Sequence, residues 1–287
     1  MISLIGIGNA SSAIVQKFSE ISQYDIYTLN SKVEKNTKNA LKLEAYNRPE
    51  EYEKNLPDVR KFLKNAKGRV QVFVMGASMS SIYSLGIQQQ IQHKEIDVFY
   101  IKPDTDLLTG VPRLVENTVF GVLQEYARSG LFRTFTILSN ENIERVVQKI
   151  SLKNYYETLN DTIFSCVHYM NYFEYTEPHI GNVSKPSEVN RIRTVGMLDM
   201  AKIQEKWLFD LDAERELCYY MCINEERLEK ETGLHKKLVD TLKTKPRNAY
   251  RKISYAIYET PLPDFGFCVA HTNAIQQQKT LDKLGQE

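Results

Sequence analysis

Apolar runs and polar spacers alternate through the first half of this chain at the periods of strands and helices. Ile2-Ser3-Leu4-Ile5 has the length of a buried strand, and the small residues Gly6 to Ser12 follow it as a turn. Ala13 to Phe18 then opens a helix, and Asp25 to Leu29 reads as a second strand. Residues 49–64 predict a helix that starts at Pro49 and carries Glu50 and Glu51 in its first turn, where the helix dipole favours acids. Val70 to Met75 is a strand ending at Gly76, Ser80 to Gln92 a helix, and Asp97 to Ile101 a strand stopped by Pro103. Val111 to Ser129 is a long amphipathic helix, and Arg133 to Leu138 another strand. This alternation predicts an α/β fold with a parallel sheet covered by helices on both faces.

The pattern then changes. Ser151 to Tyr172 is a long helical stretch, Pro178 to Pro186 a polar loop, and Ile192 to Val195 a strand. Cys218 to Ile223 reads as a strand and Glu225 to Thr244 as one helix. Ile253 to Tyr258 and Phe265 to Ala270 read as a strand pair joined by Pro261 to Asp264. Three parts are expected: a first domain over 1–150, a central connecting helix over 151–175, and a smaller α+β domain over 176–287. Trp207 is read as an anchor in a helix, His168 as a packing residue, and 276–287 as a polar helix end or loose tail.

Composition narrows the class. The 37 basic and 36 acidic residues nearly cancel, so overall charge gives no signal for nucleic acid or an anionic membrane. No apolar run approaches the ~20 residues of a membrane span, and the start lacks a signal-peptide pattern, so a cytoplasmic chain is expected. Cys166, Cys218, Cys222 and Cys268 lack the spacing of a zinc site and read as reduced, buried thiols; no metal centre is expected.

The opening segment carries candidate chemistry. A strand that runs through Gly6 and Gly8 into a helix start lets backbone approach a phosphate, with the helix N–H groups attracting the anion. Gly6-x-Gly8-x-x-Ser11 also loosely matches the dinucleotide fingerprint. That fingerprint expects an acid at the end of the second strand, where Leu29-Asn30-Ser31-Lys32 has none. Lys32 would serve a 2′-phosphate, which makes an NADP-dependent oxidoreductase the alternative from a different class.

The order of elements and loops from the first residue to about Asn273 resembles the tubulin/FtsZ superfamily. The resemblance implies a parallel-sheet nucleotide-binding domain joined by a long central helix to a smaller α+β domain. It also implies GTP or GDP as ligand, with Mg as a companion, and self-association head to tail into filaments. Hydrolysis in such proteins is completed when a loop of the next subunit enters the pocket. In the first loop, Gly8 and Ser12 keep the family's residues at nucleotide-binding positions, and Asn9 stands at one where the family usually has glycine. The family's glycine-rich signature loop corresponds to Gly76-Ala77-Ser78-Met79-Ser80-Ser81, so Gly76, Ala77, Ser78 and Ser80 are candidates, although one glycine remains and Met79 adds bulk.

Later segments match more closely. Lys102-Pro103-Asp104 and Thr109-Gly110-Val111-Pro112-Arg113 resemble consecutive family motifs, with Arg113 retained. Leu138-Ser139-Asn140-Glu141-Asn142 places Asn140 at a nucleotide-contacting loop position, and Leu159-Asn160-Asp161-Thr162-Ile163 places Asp161 where a carboxylate accepts the guanine N–H edge. In the catalytic loop Glu188 is the candidate, while Arg191 stands where the family has an acid. Activating water for attack on a γ-phosphate needs an acceptor, so weak hydrolysis is expected. The missing long C-terminal extension and acidic tail point to a prokaryotic, plasmid or phage relative with an unidentified cargo or adaptor. A degenerate pseudo-GTPase acting as a structural or adaptor subunit is the alternative within the same fold.

Overall fold

The first apolar run becomes the middle of a parallel sheet. The computed structural model describes residues 1–246 and 251–277. Its first half contains, in chain order, β1 (Ile2–Ile7), α1 (Asn9–Gln16), β2 (Tyr24–Asn30), β3 (Ala40–Lys42), α2 (Pro49–Lys54), β4 (Val70–Met75), α3 (Ile82–Gln90), β5 (Ile96–Lys102), α4 (Gly110–Arg128), β6 (Thr134–Ser139), α5 (Asn140–Val147) and α6 (Tyr155–Tyr175). The strands lie in the order β3-β2-β1-β4-β5-β6, all parallel, so every one of them ends on the same edge. β1 is buried at all positions, as a central parallel strand covered on both faces must be. On one face Val72, Val74 and Val98 pack with Ile87 of α3 and Phe120 of α4. On the other, Leu4, Phe73 and Phe99 pack with Ile14, Phe18, Ile163 and Val167 from the α1 and α6 side.

The remaining elements are β7 (Ile180–Asn182), β8 (Ile192–Asp199), β9 (Gln204–Trp207), β10 (Glu216–Asn224), α7 (Glu225–Lys230), α8 (Leu234–Thr244), β11 (Lys252–Thr260) and β12 (Phe265–Thr272). They extend the same sheet in the order β6-β8-β12-β10-β11-β7, with β9 folded back on β8. The seam between the halves is short: β8 runs parallel to β6 over two residue pairs, Phe135 with Ile192 and Thr136 with Arg193. A third core forms where Leu234, Leu238 and Leu242 of α8 cover Leu217, Tyr219 and Met221.

Several predicted elements are altered, each for a local reason. The helix expected over 49–64 stops at Lys54, because Pro57 supplies no N–H and restricts the residue before it. The helix expected over 225–244 is two helices, parted at Gly233 with φ 78°. β11 and β12 are not paired with each other: β10 lies between them, parallel to β11 and antiparallel to β12. Pro261 to Asp264 therefore crosses the end of β10, where Asp264 accepts the Asn224 N–H at 2.9 Å and pairs with Arg227.

Trp207 is in a strand, not a helix. A Cβ on Gly196 would lie 2.7 Å from its ring, so the glycine makes room for the indole. The polar loop over 178–186 contains β7, and Asn140 heads a helix rather than sitting in a loop. Gln276 is not part of a loose tail: it is buried, and its N–H donates to Gln124 Oε1 at 2.7 Å. The Gln277 N–H donates to Asp212 Oδ2 at 2.8 Å, and the remainder of that expected tail, 278–287, lies outside the described residues. The four cysteines are free and buried, and burial raises the thiols of Cys166 and Cys222 to about 12. Among the described residues no helix is long and apolar enough to cross a membrane.

Candidate functional site

Most of the predicted nucleotide residues gather at the edge where the parallel strands end. Gly8 follows β1, Gly76 to Ser80 follow β4, Arg113 lies in the first turn of α4, and Asn140 follows β6. β1 and β4 are neighbours whose helices leave in opposite directions along the strand order, which makes the crevice between their ends the switch point of the sheet. The small-residue turn is shorter than expected, since α1 already begins at Asn9. Gly8 alone forms the bend, with φ 88°, a region that suits glycine. Asn9 and Ala10 are exposed, so the end of α1 with its unpaired N–H groups opens onto this edge.

Around that opening the side chains are already engaged with one another. Ser12 is buried; it accepts from Asn30 Nδ2 at 2.9 Å and donates to Gly6 O at 3.3 Å. It pins α1 to the end of β2. Ser78 and Ser80 share a hydrogen bond at 2.8 Å, and Ser80 Oγ lies where a Cβ on Gly8 would have to be. The two loops therefore touch through Ser80. Ala77 takes φ 57°, a left-handed conformation that glycine adopts freely and alanine adopts at a cost of about 1 kcal/mol.

Gly76 packs closely against β5, α4 and the loop between them. A Cβ there would meet the Glu116 carboxylate, lie 2.6 Å from the Tyr100 hydroxyl, and 2.8 Å from the Pro103 ring. Glu116 is buried, accepts from Tyr100 OH at 2.5 Å, and pairs with Lys102 Nζ at 2.7 Å. Lys102 also lies 4.1 Å over the Phe120 ring. Burial, then the charge of Glu116, pushes the Tyr100 hydroxyl well above its usual value, so it stays a donor. The sequence reading did not single out this triad; the signal was a lone glutamate on the apolar stripe of α4.

Arg113 and Asp161 are also partnered. Arg113 Nη1 donates to Thr105 O at 2.6 Å and braces the loop after β5. Next to Asn140, it is Asn142 that turns inward, donating to Trp207 O at 3.2 Å and Asp210 Oδ2 at 3.0 Å. Asp161 lies on α6 and pairs with Lys17 Nζ, just past the end of α1, at 2.6 Å. Lys17 is 144 residues away in sequence, so no local pattern announced it.

Glu188 lies apart from all of these. It is exposed, in the segment before β8, and β8 starts on the edge where β4, β5 and β6 start. The structure thus places it at the opposite edge of the sheet from Gly8 and Gly76. There it borders a cleft of about 1100 Å³ together with Arg69, Arg133, Arg193 and His271. Asp97 sits fully buried beneath, paired with Arg69 and with Arg133 at 2.8 Å; Glu174 completes the cluster, paired with both arginines. Burial alone would raise the Asp97 carboxyl, but Arg69, then Arg133 and Arg193, outweigh it and hold it at about 2. Among the described residues no group of three or more His, Cys, Asp or Glu is arranged to hold a metal ion.

Solved structures share this architecture. The chain superposes on the TubZ of Bacillus thuringiensis serovar israelensis from a GTPγS-form protofilament with a TM-score of 0.68, at 10% identity, over 95% of this chain and 86% of that one. A CetZ from Methanosaeta thermophila gives a TM-score of 0.67 at 10% identity, over 95% and 86% of the two chains. The FtsZ of M. jannaschii, as an empty dimer, gives 0.68 at 10% identity, over 94% and 88%. No protein-family model matches the chain, and no curated protein matches it in sequence. The chain has the tubulin/FtsZ fold.

Proposed function

We propose that this chain is a cytoskeletal subunit that stacks head to tail into filaments and binds a guanine nucleotide at the edge carrying Gly8 and Gly76. The observation that carries the proposal is the placement of exposed apolar side chains at opposite edges of the sheet. Leu107, Val111 and Leu114 lie after β5 and on the first turns of α4, Leu152 and Tyr156 at the start of α6, and Leu262 on the turn after β11. Tyr172 and Tyr175 end α6 at the other edge, and Val189 precedes β8. Leu107 is 80% and Tyr156 75% exposed, values that an isolated surface rarely sustains in clusters. Stacking one edge on the other buries both sets and brings Glu188 of one subunit toward the loops of the next. TubZ relatives of this fold have been solved as GTPγS-form and GDP-form protofilaments, which supports the same arrangement here.

In this reading the end of α1 and the hydroxyls of Ser78 and Ser80 receive the phosphates, with Ser80 moving off Gly8, while Asn140 and Asp161 hold the base. Lys17 neutralises Asp161 until a guanine edge replaces it. Glu188 is the one carboxylate between Val183 and Arg191, so hydrolysis is slow. A second reading, a pseudo-GTPase that serves as a structural subunit, is favoured by the strained Ala77 and by Ser80 filling the room above Gly8. Pelleting and electron microscopy of the purified chain with GTP, with a non-hydrolysable analogue and without nucleotide decide between them. Filaments are expected with nucleotide, and Leu114→Glu is expected to abolish them while leaving a folded monomer. Asp161→Ala is expected to weaken GTP binding by about tenfold, the loss of one charged hydrogen-bonding group. No GTP binding at high micromolar concentration would leave only the second reading, and a chain that stays monomeric throughout would sink the assembly itself.

A further inference from the structure

The pair between Lys17 and Asp161 presents more chemistry than a link between two helices needs. Lys17 is the first residue past α1, where the helix dipole favours a cation, and Asp161 lies in the second turn of α6. Lys17 Nζ is 2.6 Å from Asp161 Oδ1, and the two side chains are 26% and 56% exposed. A surface pair of this kind contributes little to stability. It is open enough for the edge of a ligand to reach both groups. Among the described residues no other donor bonds Asp161, so Oδ2 faces outward with its lone pairs free.

Lys17 Nζ, Asp161 Oδ1 and Asp161 Oδ2 follow one another as donor, acceptor, acceptor. Guanine carries the complement along its pairing edge, the O6 acceptor followed by the N1–H and N2–H donors. Cytosine reads that edge with the same order of groups. Adenine would set a donor against Lys17 and an acceptor against Asp161, so it is rejected twice.

The way to this pair along α1 is also open. Asn9, Ala13 and Lys17 recur every four residues and so share one stripe of the helix. Asn9 and Ala13 are exposed, and the alanine puts only a methyl group in the path between the ends. At about 1.5 Å per residue, Lys17 lies about 12 Å along the axis from Asn9. An extended nucleotide spans a similar length from its phosphates to its base edge, so phosphates at the start of α1 put the base beside Lys17.

We propose that Lys17 is a specificity-determining residue of the nucleotide site, donating to O6 while Asp161 accepts from N1–H and N2–H. This rests on the guanine-nucleotide reading and adds the group that recognises the carbonyl. As the base arrives its two N–H groups take the carboxylate, and Nζ passes from Oδ1 to the adjacent O6. The cation stays in the site instead of returning to solvent.

GTP, 6-thio-GTP and ITP, compared by calorimetry on the full chain, separate the two contacts. 6-Thio-GTP replaces O6 by sulfur, a weak acceptor, and keeps both N–H groups, whereas ITP lacks the N2 amino group. The wild-type chain is expected to bind GTP at least about fivefold more tightly than 6-thio-GTP. Lys17→Met is expected to weaken GTP at least about fivefold and to bind GTP and 6-thio-GTP alike. It is expected to keep the preference for GTP over ITP, which belongs to Asp161. A pair that is merely structural predicts that Lys17→Met leaves all three nucleotides unchanged or weakens them equally, and either result overturns the assignment. A wild-type chain that binds GTP no more tightly than 6-thio-GTP overturns it as well, a comparison that holds even if Lys17→Met does not fold. In these cases GTP binding survives and the guanine reading stands; a wild-type chain that binds none of the three overturns both.

Discussion

Ala77 shows how a single backbone angle records what a loop has lost. It holds φ 57° in the segment where the resemblance implies glycine, and the strain is local. Ala77→Gly relieves it and is expected to raise stability by up to about 1 kcal/mol, seen as a higher urea midpoint; an unchanged or lower midpoint would count against strain at this position. His271 gives a pH signature. Its ring stays neutral to about 3 in the folded chain but takes a proton near 6.5 when unfolded, so unfolding absorbs a proton between these values. The stability it contributes is complete above about 6.5 and is lost as pH falls toward 3, at about 1.4 kcal/mol per pH unit. His271→Gln is expected to flatten that acid loss between pH 6.5 and 4.5 in a series of urea titrations. At this scale the sequence pointed to loops that the structure brings to one edge of the sheet, and it did not reveal what the side chains in them touch. Asp161 was identifiable from its motif, but its partner Lys17 was not, because the pair depends on how α1 packs on α6. Arg193 and His271 drew no notice either, since their adjacency is fixed only by strand register.

Between elements, β5 and α4 are tied by Lys102 and Glu116, a pair inside the fold next to Gly76. Removing the cation leaves a buried carboxylate with only a phenol to bond, and Lys102→Met is expected to cost about 3–5 kcal/mol in urea unfolding. Adding Glu116→Leu should recover much of that loss, because two apolar groups need no partner; a double variant no better than the single would show that packing rather than charge is at stake. Strands and helices themselves were largely legible, since β1, β4, β5, β6 and α4 carry clear periods of two or 3.6 or long apolar runs. Their ends were less so: Pro57 and Gly233 break helices that a smooth pattern had joined. Pairing was the least legible. The runs now assigned to β11 and β12 have the spacing of a hairpin, and nothing local reveals that β10 lies between them.

For the whole molecule, the β-α alternation was enough to place a parallel sheet with helices on both faces. The continuity of that sheet from β3 to β7 was not visible, because it depends on the two-pair seam at Phe135 and Thr136. The placement of β12 has a consequence for the order in which the molecule is made. β12 is the last described strand in sequence, yet in the sheet it lies between β8 and β10. Until residues 265–272 have left the ribosome, β8 lacks its partner on one side and β10 lacks its own. A nascent chain therefore carries two open strand edges until β12 is available to fill them, the kind of edge that templates aggregation. A chain cut after Thr260 is expected to be insoluble or chaperone-bound in a fractionation assay, and a soluble monomer would refute that. Completion of the sheet thus waits on the insertion of one strand between two others, so that quality control of this protein falls on β12 rather than on the glycine loop after β1.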